Sequence, residues 1–158
     1  MNSDVTDLAR RGFRFALALT HDAHRAEDLL QEAWLAVLAA RGPLRIEYLL
    51  VSIRSRFLDQ CRRARLAEFE PFTEDEPRSA GESEEWSDIL EWSDQRLGEA
   101  LGRLRAEERG ALYLSAVEGR SAQQIADLFG WPRSTVLSLV QRARRKLRTW
   151  MESPEATR

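Results

Sequence analysis

AQQIADLFGWPRSTVLSLVQ, residues 122–141, is the stretch that decides how this chain is read. Ile125, Phe129, Trp131, Val136 and Val140 supply apolar faces on either side of a break at Gly130-Trp131-Pro132, so two helices meet at a tight turn. Ala126 is small, as required where two helices cross. Gly130 stands four residues later, where the chain leaves the first helix and a left-handed backbone is least costly. Pro132 suits the first position of the following helix, since its missing N–H would be unpaired there. This is the pattern of a helix-turn-helix, whose second helix is held where it can enter a major groove. Five basic residues follow at once: Arg142, Arg144, Arg145, Lys146 and Arg148.

Working outward, the 158 residues allow two small domains or one of medium size. Glycine and proline are sparse, at 8 and 5, and Ala, Leu, Arg and Glu dominate, so the fold class is all-α. A single cysteine, Cys61, excludes an internal disulfide framework and fits a reducing cytoplasm. Arg10-Arg11 precede an apolar run of only five residues, Phe15 to Leu19, too short for an export signal. No stretch approaches the length needed to span a bilayer, so no membrane insertion is expected.

The net charge of −2 hides a segregation. Residues 1–66 hold 11 Lys+Arg against 8 Asp+Glu, residues 67–99 hold 2 against 12, and residues 100–158 hold 11 against 6. Two basic blocks flank an acidic one, and local potential rather than the average attracts phosphate.

The first block reads as three helices. Leu8, Phe15 and Leu19 mark one over residues 5–19. Asp22 caps a second, about 23–40, with Leu29, Leu30, Ala33, Trp34, Val37 and Leu38 as its apolar stripe. Gly42-Pro43 ends it. A third, about 44–66, turns Ile46, Leu49, Leu50, Ile53, Phe57, Leu58 and Cys61 inward and Arg45, Arg54, Arg56, Arg62, Arg63 and Arg65 outward. Residues 67–83, with two prolines and a run of acids, read as an acidic flexible linker. Periodicity returns with Trp86, Ile89, Leu90, Leu97, Leu101 and Leu104, with a break expected near Ser93 or Gly98. A helix at about 106–117 follows, and Ser121 caps the helix-turn-helix. The expected organisation is two small helical domains, 1–66 and 84–152, joined by the linker and followed by a disordered tail, 153–158.

Both blocks resemble one family in one order. AEDLLQEAWLAVLAA (26–40) is similar to the second conserved region of bacterial sigma factors, and LLVSIRSRFLDQCRRAR (49–65) to the adjoining helix that faces the −10 promoter element. LRAEERGALYLSAVEGRSAQQIADLFGWPRSTVLSLVQRARRKL (104–147) resembles the fourth region, which meets the −35 element. Only these two regions are present, as in the small extracytoplasmic-function group. The resemblance implies a dissociable initiation subunit with core RNA polymerase and promoter DNA as partners, and an anti-sigma factor as a further candidate partner. It implies no catalytic residues and no cofactor, since RNA synthesis belongs to the polymerase.

Asp28, Gln31, Glu32 and Leu35 share part of one helix surface, and the resemblance makes them the polymerase-binding candidates. Arg54, Arg62, Arg63 and Arg65 offer charge to a separated strand, with Tyr48 or Phe57 as a stacking face, although burial is the preferred reading of Phe57. Arg133, Ser134 and Thr135 occupy the first turn of the recognition helix, suited to phosphate. Leu137, Ser138, Gln141 and Arg142 are placed to reach base edges, Gln141 matching adenine and Arg142 guanine, with Arg145 among the arginines beyond them. Those from 144 to 148 are expected to spread around the helix. His21 and His24, with Glu27 nearby, read as a solvated helix end rather than a metal site, and Cys61 as a small buried residue.

Three features depart from the family pattern. Ser134 and Leu137 stand where a glycine and a cation are usual, and Leu139 where another cation is common. The connection from Leu38 to Tyr48 is short, with Tyr48 in place of a common tryptophan. The linker and the stretch just after it, which carries Trp86 and Trp92, are unusually acidic. Two other readings therefore stay open: a sigma-like decoy that binds an anti-sigma factor or polymerase without reading DNA, and a helix-turn-helix regulator acting as a dimer. No glycine-rich phosphate loop, metal-ligand cluster or activated nucleophile supports an enzyme.

Overall fold

The computed structural model describes residues 2–67 and 95–153. Residues 68–94, with nearly all of the expected linker and Trp86, Ile89, Leu90, Trp92 and Ser93, lie outside the described residues, as do 154–158. Among the described residues there are seven helices and no strand. The chain divides into two compact units, Met1–Gly81 and Glu82–Arg158.

In the first unit, α1 (Asn2–Thr20), α2 (Ala23–Ala39) and α3 (Ile46–Ala67) each pack against the other two. Phe15, Ala16 and Leu19 of α1, Leu29, Ala33 and Val37 of α2, and Leu49, Leu50, Ile53 and Phe57 of α3 are all buried. Gly12 marks the close approach of α1: a Cβ there would lie 2.7 Å from Leu49 Cδ2 and 2.9 Å from Leu30 Cδ1. The Ser52 hydroxyl donates to the Ala33 carbonyl at 3.2 Å and ties α3 to α2.

The joint between α1 and α2 is only His21 and Asp22. Thr20, itself buried, donates through its hydroxyl to the Ala16 carbonyl at 2.9 Å, which satisfies the polar group within its own helix. His21 then turns the chain with φ 51°, and Asp22 accepts from the Arg25 N–H at 3.1 Å, the expected cap. At the other end of α2 the outcome differs from the sequence pattern. Arg41, not the neighbouring glycine, takes the left-handed conformation, at φ 51°. Leu38 is exposed and Leu30 and Trp34 are half-buried, so the inward stripe of α2 narrows to Ala26, Leu29, Ala33 and Val37. Pro43, Leu44 and Arg45 are exposed, and α3 begins only where Ile46 reaches the core. Cys61 and Leu58 are half-buried rather than enclosed.

The second unit contains α4 (Gln95–Gly102), α5 (Ala106–Ala116), α6 (Ala122–Phe129) and α7 (Arg133–Glu152). Gly98 lies inside α4, so the helix is not broken there. The longest of these four, α7, packs against each of the other three. Leu101, Leu104 and Ala143 form an apolar cluster joined by Leu97, Leu112 and Leu147, and Leu114, Ile125 and Val136 are fully enclosed.

Local chemistry sets the turn between α6 and α7. Ser121 Oγ accepts from the Gln124 N–H at 3.1 Å and Gln124 Oε1 accepts from the Ser121 N–H at 2.9 Å, a reciprocal cap. Gly130 ends α6 at φ 67° and ψ 31°, and the Trp131 N–H donates back to the Ala126 carbonyl at 3.0 Å. Pro132 has φ −61° and ψ 140°, so it is the N-cap and Arg133 is the first helical residue, one place later than the pattern indicated. Its extended ψ is what redirects the chain. The Phe129 and Trp131 rings, 5.3 Å apart and tilted by 51°, brace this turn.

A charged contact fixes how α7 lies on α5. Glu108 is only 2% exposed, yet it carries a carboxylate. Lys146 Nζ, from the middle of α7, donates to its two oxygens at 2.8 and 3.0 Å, and the Arg105 N–H donates to Oε2 at 3.2 Å. The neighbouring Arg109 guanidinium donates to the Leu101 and Leu104 carbonyls. Burial pushes Arg109 down to about 10, opposed by the Glu108 carboxylate, so it stays charged at neutral pH. At the far end of α7, Arg96 donates to the Met151 carbonyl at 3.0 Å, and the Arg103 guanidinium stacks 3.6 Å from the centre of the Trp150 ring.

Two stability predictions follow from these contacts. A Cβ on Gly130 would meet nothing within 4 Å, so Gly130→Ala isolates the backbone term. It should cost about 1 kcal/mol, read by denaturant unfolding of the full chain. Lys146→Met leaves a buried carboxylate without its cation and should cost about 2 kcal/mol. The value is held below that of a sealed pair because the lysine side chain is 40% exposed. Replacing both partners, Glu108→Met with Lys146→Met, should recover most of the loss in the same melts.

Candidate nucleic-acid interface

The sequence of α7 sorts its side chains by helical period. Leu137, Gln141, Arg144 and Arg148 follow at offsets of four, seven and eleven and so form one stripe, with Ser134, Ser138 and Arg145 beside it. All seven are exposed, and so are Arg133 and Thr135 in the first turn and Arg142 at the margin of the stripe. On the opposite side Val136 and Ala143 are fully buried. The rotation of α7 is therefore fixed by its inward face, and its outward face is committed to solvent or to a ligand.

The arginines from 144 to 148, expected to spread around the helix, are all exposed. Arg144, Arg145 and Arg148 share the outward side, and Lys146 alone turns inward to Glu108. Arg144 and Arg148, which are not among the DNA-binding candidates read from sequence, share the exposed stripe of Leu137, as their seven- and eleven-residue offsets from it imply. The Glu108–Lys146 pair spans 38 residues, a contact that no local pattern discloses.

In the first unit Asp28, Gln31, Glu32 and Leu35 all lie exposed on α2, Leu35 at 67%. Three polar side chains thus surround a leucine standing in water. The candidates on α3 are less uniform. Arg62, Arg63 and Arg65 are exposed near the helix end, with Arg62 Nη1 3.6 Å from Asp59 Oδ1, whereas Arg54 is half-buried. Tyr48 is 53% exposed and Phe57 is in the core, as its spacing suggested. His21 forms the α1–α2 joint and His24 is exposed. Among the described residues no grouping of His, Cys, Asp or Glu is set to hold a metal ion, and no helix is long and apolar enough to cross a membrane.

With this geometry established, the likeness to known proteins is specific. Residues 5–66 match the Sigma-70 region 2 family and residues 94–147 match Sigma-70, region 4. The ECF RNA polymerase sigma factor SigE of Mycolicibacterium smegmatis is 34% identical, over 93% of this chain and 60% of that protein. The ECF RNA polymerase sigma factor SigL of Mycobacterium tuberculosis is 30% identical, over 92% of this chain and 85% of that protein. This chain therefore spans about three fifths of the first relative's length and most of the second's. In fold it is similar to the sigma factor RpoE of Bartonella quintana, solved in complex with the anti-sigma factor NepR, with a TM-score of 0.70, 24% identity and 97% of each chain covered. Taken with the two helical units and the order of the two regions, these matches show that the chain belongs to the sigma-70 family of RNA polymerase sigma factors, in its extracytoplasmic-function (ECF) group.

Proposed function

We propose that this chain directs core RNA polymerase to promoters and initiates transcription, with each unit serving a different partner surface. The observation that carries the reading is the division of α7 into a buried face, Val136 and Ala143, and an exposed face of hydroxyl, amide, leucine and arginine side chains. A helix so divided presents base-reading groups in its first turns and cations further along, and the turn at Gly130 and Pro132 sets its entry into the major groove. Arg133, Ser134 and Thr135 meet phosphate at one end and Arg142, Arg144, Arg145 and Arg148 at the other, with Leu137, Ser138 and Gln141 facing the base edges.

In the first unit, Asp28, Gln31 and Glu32 pair with basic side chains of the polymerase while Leu35 fills an apolar seat. An exposed leucine ringed by polar groups is the form of an interface anchor. Arg62, Arg63 and Arg65 hold the separated strand near the −10 element, Tyr48 supplies a stacking face, and the half-buried Arg54 supports them. The protein works in the cytoplasm, where the polymerase is, and uses no cofactor. An anti-sigma factor is a proposed partner, in keeping with the complex in which the similar RpoE was solved. The same exposed leucines favour a second reading, a decoy that occupies such a partner without reading DNA.

Transcription in vitro with core polymerase over a random promoter library separates these readings. The sigma reading expects promoter-dependent transcripts and is refuted by their absence when folded protein still binds core. Leu35→Asp should weaken core binding by about tenfold or more without changing the helical circular dichroism signal. Arg144→Ala and Arg148→Ala should each lower the salt dependence of promoter binding by about one unit of slope, measured by titration across ionic strengths.

A further inference from the structure

Among the described residues in the first three turns of α7, Leu137 is the one large apolar side chain that stands exposed, at 37%, while Val136 beside it is completely covered. Its companions on the outward face, Ser134, Ser138 and Gln141, are uncharged donors and acceptors. Cations bracket them, Arg133 before and Arg142, Arg144, Arg145 and Arg148 after. Cations at both ends suit the phosphates on the two walls of a major groove, which leaves Leu137 and Gln141 over its floor. On that floor the only apolar group that a base edge offers is the C5-methyl of thymine. Gln141, one helical turn on, is displaced by about 6 Å, or roughly two base-pair steps. Its amide can both accept from N6 and donate to N7 of adenine.

We infer that Leu137 is a specificity-determining residue that selects a thymine through its methyl group, and that Gln141 selects an adenine within about two base pairs of it. The inference rests on α7 being the reader of the upstream element and adds which bases it reads. The leucine contributes no hydrogen bond, so its discrimination is purely one of apolar contact, worth about one buried methyl group.

Deoxyuridine, which differs from thymidine only in lacking that methyl, provides the test. Holoenzyme assembled from this chain and core polymerase is used to select an upstream element from a random library. Each thymine of the selected duplex is then replaced in turn by deoxyuridine. At one position the wild-type holoenzyme should bind about fourfold more weakly, and Leu137→Ala holoenzyme should show no difference there. Replacing the nearby adenine by 7-deazaadenine should weaken the wild type and leave Gln141→Ala unaffected. Both substitutions lie on an exposed face, and circular dichroism of each variant checks that the helices are retained. The inference is overturned if the element contains no thymine, or if deoxyuridine is neutral at every position while promoter binding persists. It is equally overturned if Leu137→Ala keeps the wild-type sensitivity. Failure of the wild-type holoenzyme to select any element is a different result: it removes the promoter reading itself, and this inference with it.

Discussion

A carboxylate with 2% exposure is costly unless it is met by charge and hydrogen bonds, and in the second unit Glu108 is met by both. Lys146 closes on its two oxygens from α7, and the Arg105 N–H closes from the start of α5. The four described helices of this unit have little apolar core with which to fix a long helix in rotation and in register. Apolar contact is non-directional, whereas a lysine closing on an enclosed carboxylate adds a directional constraint. The pair thus acts together with the inward face of α7, where Val136 and Ala143 are enclosed and Ala143 clusters with Leu101 and Leu104. Everything the outward face of α7 presents depends on how these contacts seat the helix.

The first unit solves the same problem without buried charge. Three helices that each touch both others enclose Phe15, Leu29, Leu49, Leu50 and Ile53, and the near contact at Gly12 sets how tightly α1 lies on its neighbours. Because the core is satisfied by one side of α2, Leu35 and Leu38 are left over on the other. A net charge of −2 is no obstacle to a role with nucleic acid, since the cations are concentrated on α3 and α7. Electrostatic attraction is set within a Debye length, about 10 Å at moderate salt, and not by the sum over the chain.

Most of the architecture was legible in the sequence because it is written in short-range chemistry. Asp22, Ser121 and Gly130 each act through a contact within four residues, and each behaves as its type and position imply. Where legibility failed, the cause was competition. Leu38 fits the helical period of α2 but lies at the edge of the stripe, where the bundle is already filled, and Arg41 took a backbone conformation that Gly42 was better suited to accept. Pro132 is compatible with either of two adjacent positions, and the extended ψ that redirects the chain chose the cap. The Glu108–Lys146 pair was invisible for a different reason, since a contact across 38 residues exists only after the fold has formed. On α7 the alignment of Arg144 and Arg148 with Leu137 is already in their spacing, whereas the exposure of that stripe required the packing of Val136 and Ala143 to be known.

The separation of α7 into two faces has an evolutionary corollary. Val136, Ala143 and Lys146 bear the mechanical duty of the helix, and none of them shares the stripe that Leu137 and Gln141 occupy. Exchanges on the outer stripe are therefore nearly free of any penalty in folding, because surface positions on a well-packed helix tolerate replacement. A lineage carrying this fold can alter that outer stripe by single steps, each viable as a folded protein. The inner face, meanwhile, is under a constraint of packing and charge pairing alone.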